Sequence, residues 1–254
     1  MEGRVAFVTS GAKGLGNITV RLLIDAGWNV CFTYLSSEEA ARELENYATH
    51  RGRVALRRRV DLLDRTQVLQ AVDVCRQKFT RMDALIHNFG PFVFERVPLA
   101  EYSDEMWSRM MNGNLNNFFW LYREFVRDMR RQRFGRIITM GYEGAGQAAG
   151  WRNRAAYGAA KSALAQLTRS IAREERENGV TANMVCPGDI RGSHKMQRIR
   201  DMDTHLDPPV REVSVGEDVA RVIAFLCAEE SQYINGTVTE VTGAYEIRAR
   251  DEGP

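Results

Sequence analysis

The chain lacks most of the features that announce a function from composition alone. Basic and acidic residues nearly cancel, 35 against 33, so no global field argues for a nucleic-acid partner. No apolar run approaches the roughly eighteen residues of a membrane span, and Arg4 to Thr9 is too short for the core of a signal peptide. A cytoplasmic protein that crosses no membrane is therefore expected. The four cysteines, Cys31, Cys75, Cys186 and Cys227, stand far apart with no CxxC pair, which reads as buried thiols in a reducing compartment. The histidines His50, His87, His194 and His205 show no ligand spacing, so surface or packing roles are expected and no metal. The arginine-rich tract Arg127 to Arg136 ends at a strand and reads as a solvated helix end. There is no internal repeat, linker or shift of composition. At 254 residues and 44% apolar content, one domain with a sizeable core accounts for the whole chain.

What is present is an alternation of buried strands and amphipathic helices. Arg4 to Thr9 is an apolar run suited to a parallel strand covered on both faces, and Leu15, Ile18, Leu22, Leu23 and Ala26 mark the stripe of a helix after it. Strands at Asn29 to Tyr34, Val54 to Val60 and Ala84 to His87 alternate with helices at Glu38 to Arg51 and Arg65 to Phe79. A long helix from Glu105 to Met129, the strand Arg136 to Met140, a helix bearing Tyr157 and Lys161, the strand Val180 to Val185, a helix from Glu217 to Ala228 and a last strand at Thr237 to Val241 follow. Crossovers of this length impose parallel pairing. The expected fold is α/β: a Rossmann-type doubly wound parallel sheet of about seven strands in a three-layer α/β/α arrangement. Residues 189–213 turn polar and are expected to form a substrate lid.

Four places carry chemistry. The turn Thr9 to Gly16 lies between a buried strand and a helix start, where backbone amides can meet a pyrophosphate and glycines permit close approach. The end of the second strand, Thr33 to Ser37, offers no carboxylate for an unmodified ribose, whereas Lys13 with Ser36 can face a 2′-phosphate, which favours NADPH over NADH. Asp61 ends the third strand and either accepts from an adenine amino group or caps the next helix. Tyr157 and Lys161, four residues apart, share a helix face, so an ammonium can favour the phenolate of a proton-donating phenol.

With these motifs the chain resembles the short-chain dehydrogenase/reductase family over nearly its whole length. Thr9 to Gly16 matches the cofactor turn, with Ser10 where glycine is usual. His87-Asn88-Phe89-Gly90 corresponds to an Asn-Asn-Ala-Gly segment, Asn114 to the helix asparagine of a catalytic tetrad, Tyr157 and Lys161 to Tyr-x-x-x-Lys, and Pro187-Gly188 to the segment bordering the nicotinamide. The resemblance implies cofactor contacts at Ser10, Gly11, Lys13, Gly14, Leu15, Gly16, Tyr34, Ser36, Asp61, Leu62, Asn88, Gly90, Tyr157, Lys161, Pro187, Gly188 and Ile190. It implies Tyr157 as general acid, Lys161 holding the nicotinamide ribose and lowering the phenol's pKa, and Asn114 holding a water that refills the proton.

The departure from the family is Tyr142, which stands where the fourth tetrad member, a serine, is usual. It either supplies the serine's hydrogen bond or packs at the pocket wall. Tyrosine there, with His87 to Gly90, also resembles the enoyl-acyl-carrier-protein reductases, but those place their lysine further along and the turn here is of the other type. Carbonyl reduction of a small or acyl-carrier-linked substrate, similar to 3-oxoacyl reductases, is preferred. Enoyl reduction and a nucleotide-binding sensor or scaffold without turnover are the alternatives. Phe89, Pro91, Phe92, Phe94, Tyr142, Trp151 and Met196 are expected around the pocket. Met110, Met111, Phe118 and Phe119 lie on a helix that the resemblance places at a homodimer or homotetramer face.

Overall fold

The apolar run at the N-terminus becomes the middle of a parallel sheet. In the computed structural model, which describes residues 3–202 and 213–244, the strands are β1 (Val5–Val8), β2 (Asn29–Tyr34), β3 (Ala55–Arg59), β4 (Ala84–His87), β5 (Gly135–Met140), β6 (Val180–Pro187) and β7 (Val238–Val241). The helices are α1 (Gly14–Asp25), α2 (Glu38–His50), α3 (Arg65–Lys78), α4 (Asp104–Met111), α5 (Asn117–Gln132), α6 (Ala155–Glu174) and α7 (Gly216–Cys227). All neighbours pair parallel in the order β3-β2-β1-β4-β5-β6-β7. The order reverses between β1 and β4, and it is at the carboxyl ends around such a switch that open α/β sheets leave a crevice.

Alternate residues of each strand feed two cores, one per face. Phe7, Cys31, Leu85, Ile137 and Met184 pack under α3, α5 and α6 with Val72, Phe118, Phe125 and Leu164. Ala6, Val8, Phe32, Ile86, Ile138 and Val185 face the other way, onto Leu23, Leu44, Val219 and Ile223 of α1, α2 and α7. Both faces of the central strands are thus covered, which is why they read as unbroken apolar runs rather than as alternation.

Four sequence expectations change. The long helix is not continuous: α4 passes through a π turn at Asn112–Asn116 before α5, and the turn carries Asn114. Cys31 and Cys75 are joined as a disulfide, their Cα atoms 6.4 Å apart, because β2 and α3 bring both into one core. The thiol reading therefore holds only for Cys186 and Cys227, which are free and buried. Of the arginine-rich tract, Arg127, Arg130, Arg131 and Arg133 are exposed at the end of α5 as expected, but Arg136 turns inward. It is 1% exposed on β5, lies over the Phe134 ring at 4.1 Å and donates to the Ala228 and Glu229 carbonyls at the end of α7 at 3.2 Å each. Met110 and Phe118 are core residues, so of the proposed apolar face Phe119 is the one exposed, and Trp107 on α4 is exposed as well.

Candidate active site

The turn after β1 has the geometry of an anion cradle. Ser10 takes a left-handed φ of +52°, a conformation that costs a residue with a Cβ and explains why glycine suits this position. It is held there by its N–H, which donates to Thr33 Oγ1 at 2.9 Å, while Gly11 N donates to the Thr33 carbonyl at 2.8 Å. A Cβ on Gly16 would run into the Ser10 carbonyl, and one on Gly11 would come within 2.7 Å of Phe32 Cβ. α1 starts with no side-chain cap and no acid in its first turn, so its first amides remain available to an anion. Asn88 Nδ2 ties the end of β4 to this turn through the Thr9 and Ser10 carbonyls at 3.2 and 3.3 Å.

At the ends of β2 and β3 the expected residues separate into two groups. Lys13 and Ser36 are exposed at the rim. Tyr34 is buried and donates its hydroxyl to Glu38, which also receives Arg57, so this carboxylate is already engaged. Arg59, which no motif singles out, donates to the Leu35 carbonyl at 3.1 Å and brings a second cation beside Ser36. Asp61 does not cap α3. Asp64 does, accepting from Thr66 and Gln67 N–H, while Asp61 accepts from Leu63 N at 2.9 Å. Leu62 is buried, and its carbonyl receives Asn117 Nδ2.

Lys161, Asn114, His87 and Gly90 converge at the carboxyl ends of β4 and β5. Lys161 Nζ donates to the Met140 carbonyl at 2.8 Å, and burial brings its pKa down to about 8. A Cβ on Gly90 would fall on Asn114 Oδ1 and lie 3.0 Å from Lys161 Nζ, so only glycine lets these two polar groups share one space. Asn114 Nδ2 donates to the Pro91 and Met110 carbonyls at 2.9 and 3.0 Å, leaving its buried Oδ1 without a partner among the described residues. His87 Nε2 meets Asn117 Oδ1 at 3.0 Å. Because the Asn117 amide donates elsewhere, Nε2 carries the proton, and the buried Nδ1 is unpartnered. Burial, aided by Lys161, holds the imidazole neutral with a pKa down to about 3.

Tyr157 stands one turn before Lys161, with the ammonium 5.7 Å from its ring centroid. Burial pushes its phenol above the ordinary value of 10. The expected lowering by Lys161 does not emerge: burial first, then Cys186 and Tyr142, all push the phenol up, while the lysine's proton is directed at the Met140 carbonyl. Tyr157 borders two cavities. One, of about 290 Å³, is lined by Gly14, Leu15, Asn88, Gly90, Lys161 and Pro187 among others; the second, of about 590 Å³, by Phe92, Phe94, Tyr142, Trp151, Arg154, Gly188 and Ile190 among others.

Of the expected pocket aromatics, Phe92, Phe94, Tyr142 and Trp151 come together. Phe89 instead joins the core, Pro91 packs on Gly113 and Met196 is exposed. Tyr142 is 5% exposed, and its hydroxyl donates to the Ala149 carbonyl at 3.2 Å. That uses its one hydrogen, so in this conformation it has none to give to a substrate oxygen. Its ring packs 5.0 Å from Trp151 and 5.7 Å from Tyr157. Arg154, also absent from the sequence reading, is buried under Phe92 and donates to the Phe94 carbonyl at 2.9 Å and to that of Glu95. It thereby fixes the Phe92–Phe94 segment that lines the larger cavity.

The family model described as enoyl-(acyl carrier protein) reductase matches residues 10–246. YtkK of Bacillus subtilis, a candidate oxidoreductase, is 42% identical over 96% of this chain and 97% of its own. The chain belongs to the short-chain dehydrogenase/reductase family. A structure of a candidate 3-oxoacyl-reductase from Bacillus thuringiensis superposes with a TM-score of 0.90 at 39% identity, covering 97% of this chain and 99% of that one. A blue fluorescent protein from a metagenomic library, solved with NADPH, gives 0.80 at 32% identity over 95% and 97%. Membership makes this chain a nicotinamide-dependent oxidoreductase acting on a carbonyl substrate. The turn, the uncapped α1 and the Gly90 space are the features of this member that fit such a cofactor.

Proposed function

We propose that the protein is an NADPH-dependent reductase of 3-oxoacyl-like or other ketones, with Tyr157 as the proton donor. The observation that carries this is Tyr157 at the boundary of the two cavities, with Lys161 a turn away on the side of the glycine turn. A nicotinamide cofactor supplies hydride when bound. Leu15, Asn88, Gly90, Pro187 and Gly188 would hold it, and Lys13, Ser36 and Arg59 would meet its 2′-phosphate. NADPH in the metagenomic relative and the description of the Bacillus thuringiensis relative support the choice.

Within the site, the buried phenol stays protonated at neutral pH, which suits delivery of a proton to a carbonyl oxygen. Lys161 and the unpartnered Asn114 Oδ1 face the same space beside Gly90, where a water can bridge them and return a proton. Tyr142, Trp151 and Phe92 form an aromatic wall that favours an apolar or planar substrate. Residues 189–202, of which 189–192 and Lys195 line the larger cavity, serve as the described part of a lid; residues 203–212 of that expected lid lie outside the described residues. Phe119 and Trp107 form part of a homodimer or homotetramer contact.

The name of the matching family model favours a second reading, enoyl reduction. Oxidation of NADPH measured against 3-oxoacyl thioesters, enoyl thioesters and quinones separates the two. Turnover confined to the alkene would replace the carbonyl reading, and tight dinucleotide binding with no turnover of any of them would leave a non-catalytic binder. Lys13→Ala is expected to weaken NADPH about tenfold and NADH little; equal weakening would remove the 2′-phosphate assignment.

A further inference from the structure

The glycine turn offers neutral amides to a diphosphate, and a cation from a remote part of the chain reaches over it. Lys195 belongs to the short turn Gly192–Met196 after β6, yet its side chain lies over the start of α1. A Cβ built on Gly14 would lie 3.7 Å from Lys195 Cδ. The same lysine lines both cavities that flank Tyr157.

Its backbone is seated rather than loose. The Lys195 carbonyl fits against Gly216, where any Cβ would collide with it. Glu217 N donates to the Gln197 carbonyl at 3.3 Å, and Arg198 pairs with Asp25 of α1 at 2.9 Å. The other cations around the cavities are engaged: Lys161 with the Met140 carbonyl, Arg191 with Asp189 at 2.6 Å, and Arg154 with the Phe94 and Glu95 carbonyls. Lys195 has no carboxylate partner among the described residues.

We propose that Lys195 is the cation that closes over the diphosphate of the cofactor, bringing the segment after β6 onto the glycine turn. This rests on the nicotinamide-dinucleotide reading above. A flexible ammonium over exposed amides adds a charge-assisted hydrogen bond to an otherwise neutral cradle. The diphosphate is common to NADPH and NADH, so the role differs from that of Lys13, which concerns the 2′-phosphate alone.

The test is direct binding by nicotinamide fluorescence and calorimetry, with wild type, Lys195→Ala and Lys195→Arg. The ligands are NADPH, NADH and adenosine 2′,5′-bisphosphate, which carries the 2′-phosphate without a diphosphate. Lys195→Ala is expected to weaken both dinucleotides by about tenfold and to leave the bisphosphate within about twofold, and Lys195→Arg to recover most of the loss. Unchanged dinucleotide affinity in Lys195→Ala overturns the proposal. So does an equal loss for the bisphosphate, or a raised KM for the carbonyl substrate with no change in dinucleotide Kd. Wild type that binds neither dinucleotide removes the cofactor reading itself, and this proposal with it.

Discussion

Two buried polar clusters lie at opposite ends of the same sheet, and they are built on opposite terms. At the amino end of β6, Glu175 is fully buried and saturated: Arg130 Nε donates to it at 2.8 Å, Tyr122 hydroxyl at 3.0 Å and Asn178 Nδ2 at 2.9 Å. Arg130 foremost, against the cost of burial, holds its carboxyl below the ordinary range. At the carboxyl ends of β4 and β5, Lys161, Asn114 and His87 are as deeply buried, but Asn114 Oδ1 and His87 Nδ1 have no partner among the described residues. Burial there moves the pKa of Lys161 toward neutrality instead of away from it. A charge that only holds helices together is satisfied within the chain. A cluster that must receive a ligand and pass a proton keeps valences open, at a cost in stability.

The largest expected effect on that contrast is at the open end. Tyr157→Phe should lower reduction by about 10³-fold with the Kd for NADPH unchanged; wild-type turnover in this variant would remove the acid assignment. At the closed end, Glu175→Ala orphans Tyr122, Asn178 and Arg130 together and should cost about 2 to 3 kcal/mol in denaturant unfolding, with kcat/KM of the folded protein unchanged. Lost activity at full stability would show that the two clusters are not separate.

Lys161 connects stability to pH with a definite sign. An unfolded chain keeps this proton up to about 10.5, whereas the folded one releases it near 8. The penalty for burying the charge is therefore present in full below about pH 8 and is relieved as the pH rises toward 10.5. Relative to Lys161→Met, wild type should gain up to about 3 kcal/mol across that window, and parallel stability curves would show that the ammonium is not desolvated. The smallest effect is expected at the aromatic wall. Tyr142→Phe removes a hydroxyl committed to Ala149 and should leave ketone turnover within about threefold; a hundredfold loss would restore Tyr142 as a donor to substrate.

The strands and most helix boundaries could be read from the sequence because each rests on a local pattern, such as the apolar run of β1 or the stripe of α1. The Tyr157 and Lys161 pair was legible for the same reason, since four residues on one helix face is a local relation. The glycine turn was legible in outline, although the strain at Ser10 is visible only in its φ. What escaped depends on contacts between distant segments. The Cys31–Cys75 bond spans 44 residues, Arg154 reaches a loop some sixty residues earlier, and Lys195 meets Gly14 across most of the chain. Tyr142 was found as a departure, but where its hydroxyl points depends on the path of the loop to Ala149. The π turn leaves little trace because its residues, Asn-Gly-Asn-Leu-Asn, sit inside a pattern that otherwise reads as helix.

That turn makes activity removable without disassembly. Closing hydrogen bonds over one extra residue is equivalent to a single insertion in an α-helical frame, so the apolar faces of α4 and α5 keep their alignment on either side of it. Deleting one residue between 112 and 116 would restore a regular helix and leave Met110, Phe118 and Phe125 in their cores, while taking Asn114 out of register with Gly90 and Lys161. A descendant of this chain could therefore give up its chemistry in one step and continue as a stable, dinucleotide-shaped scaffold.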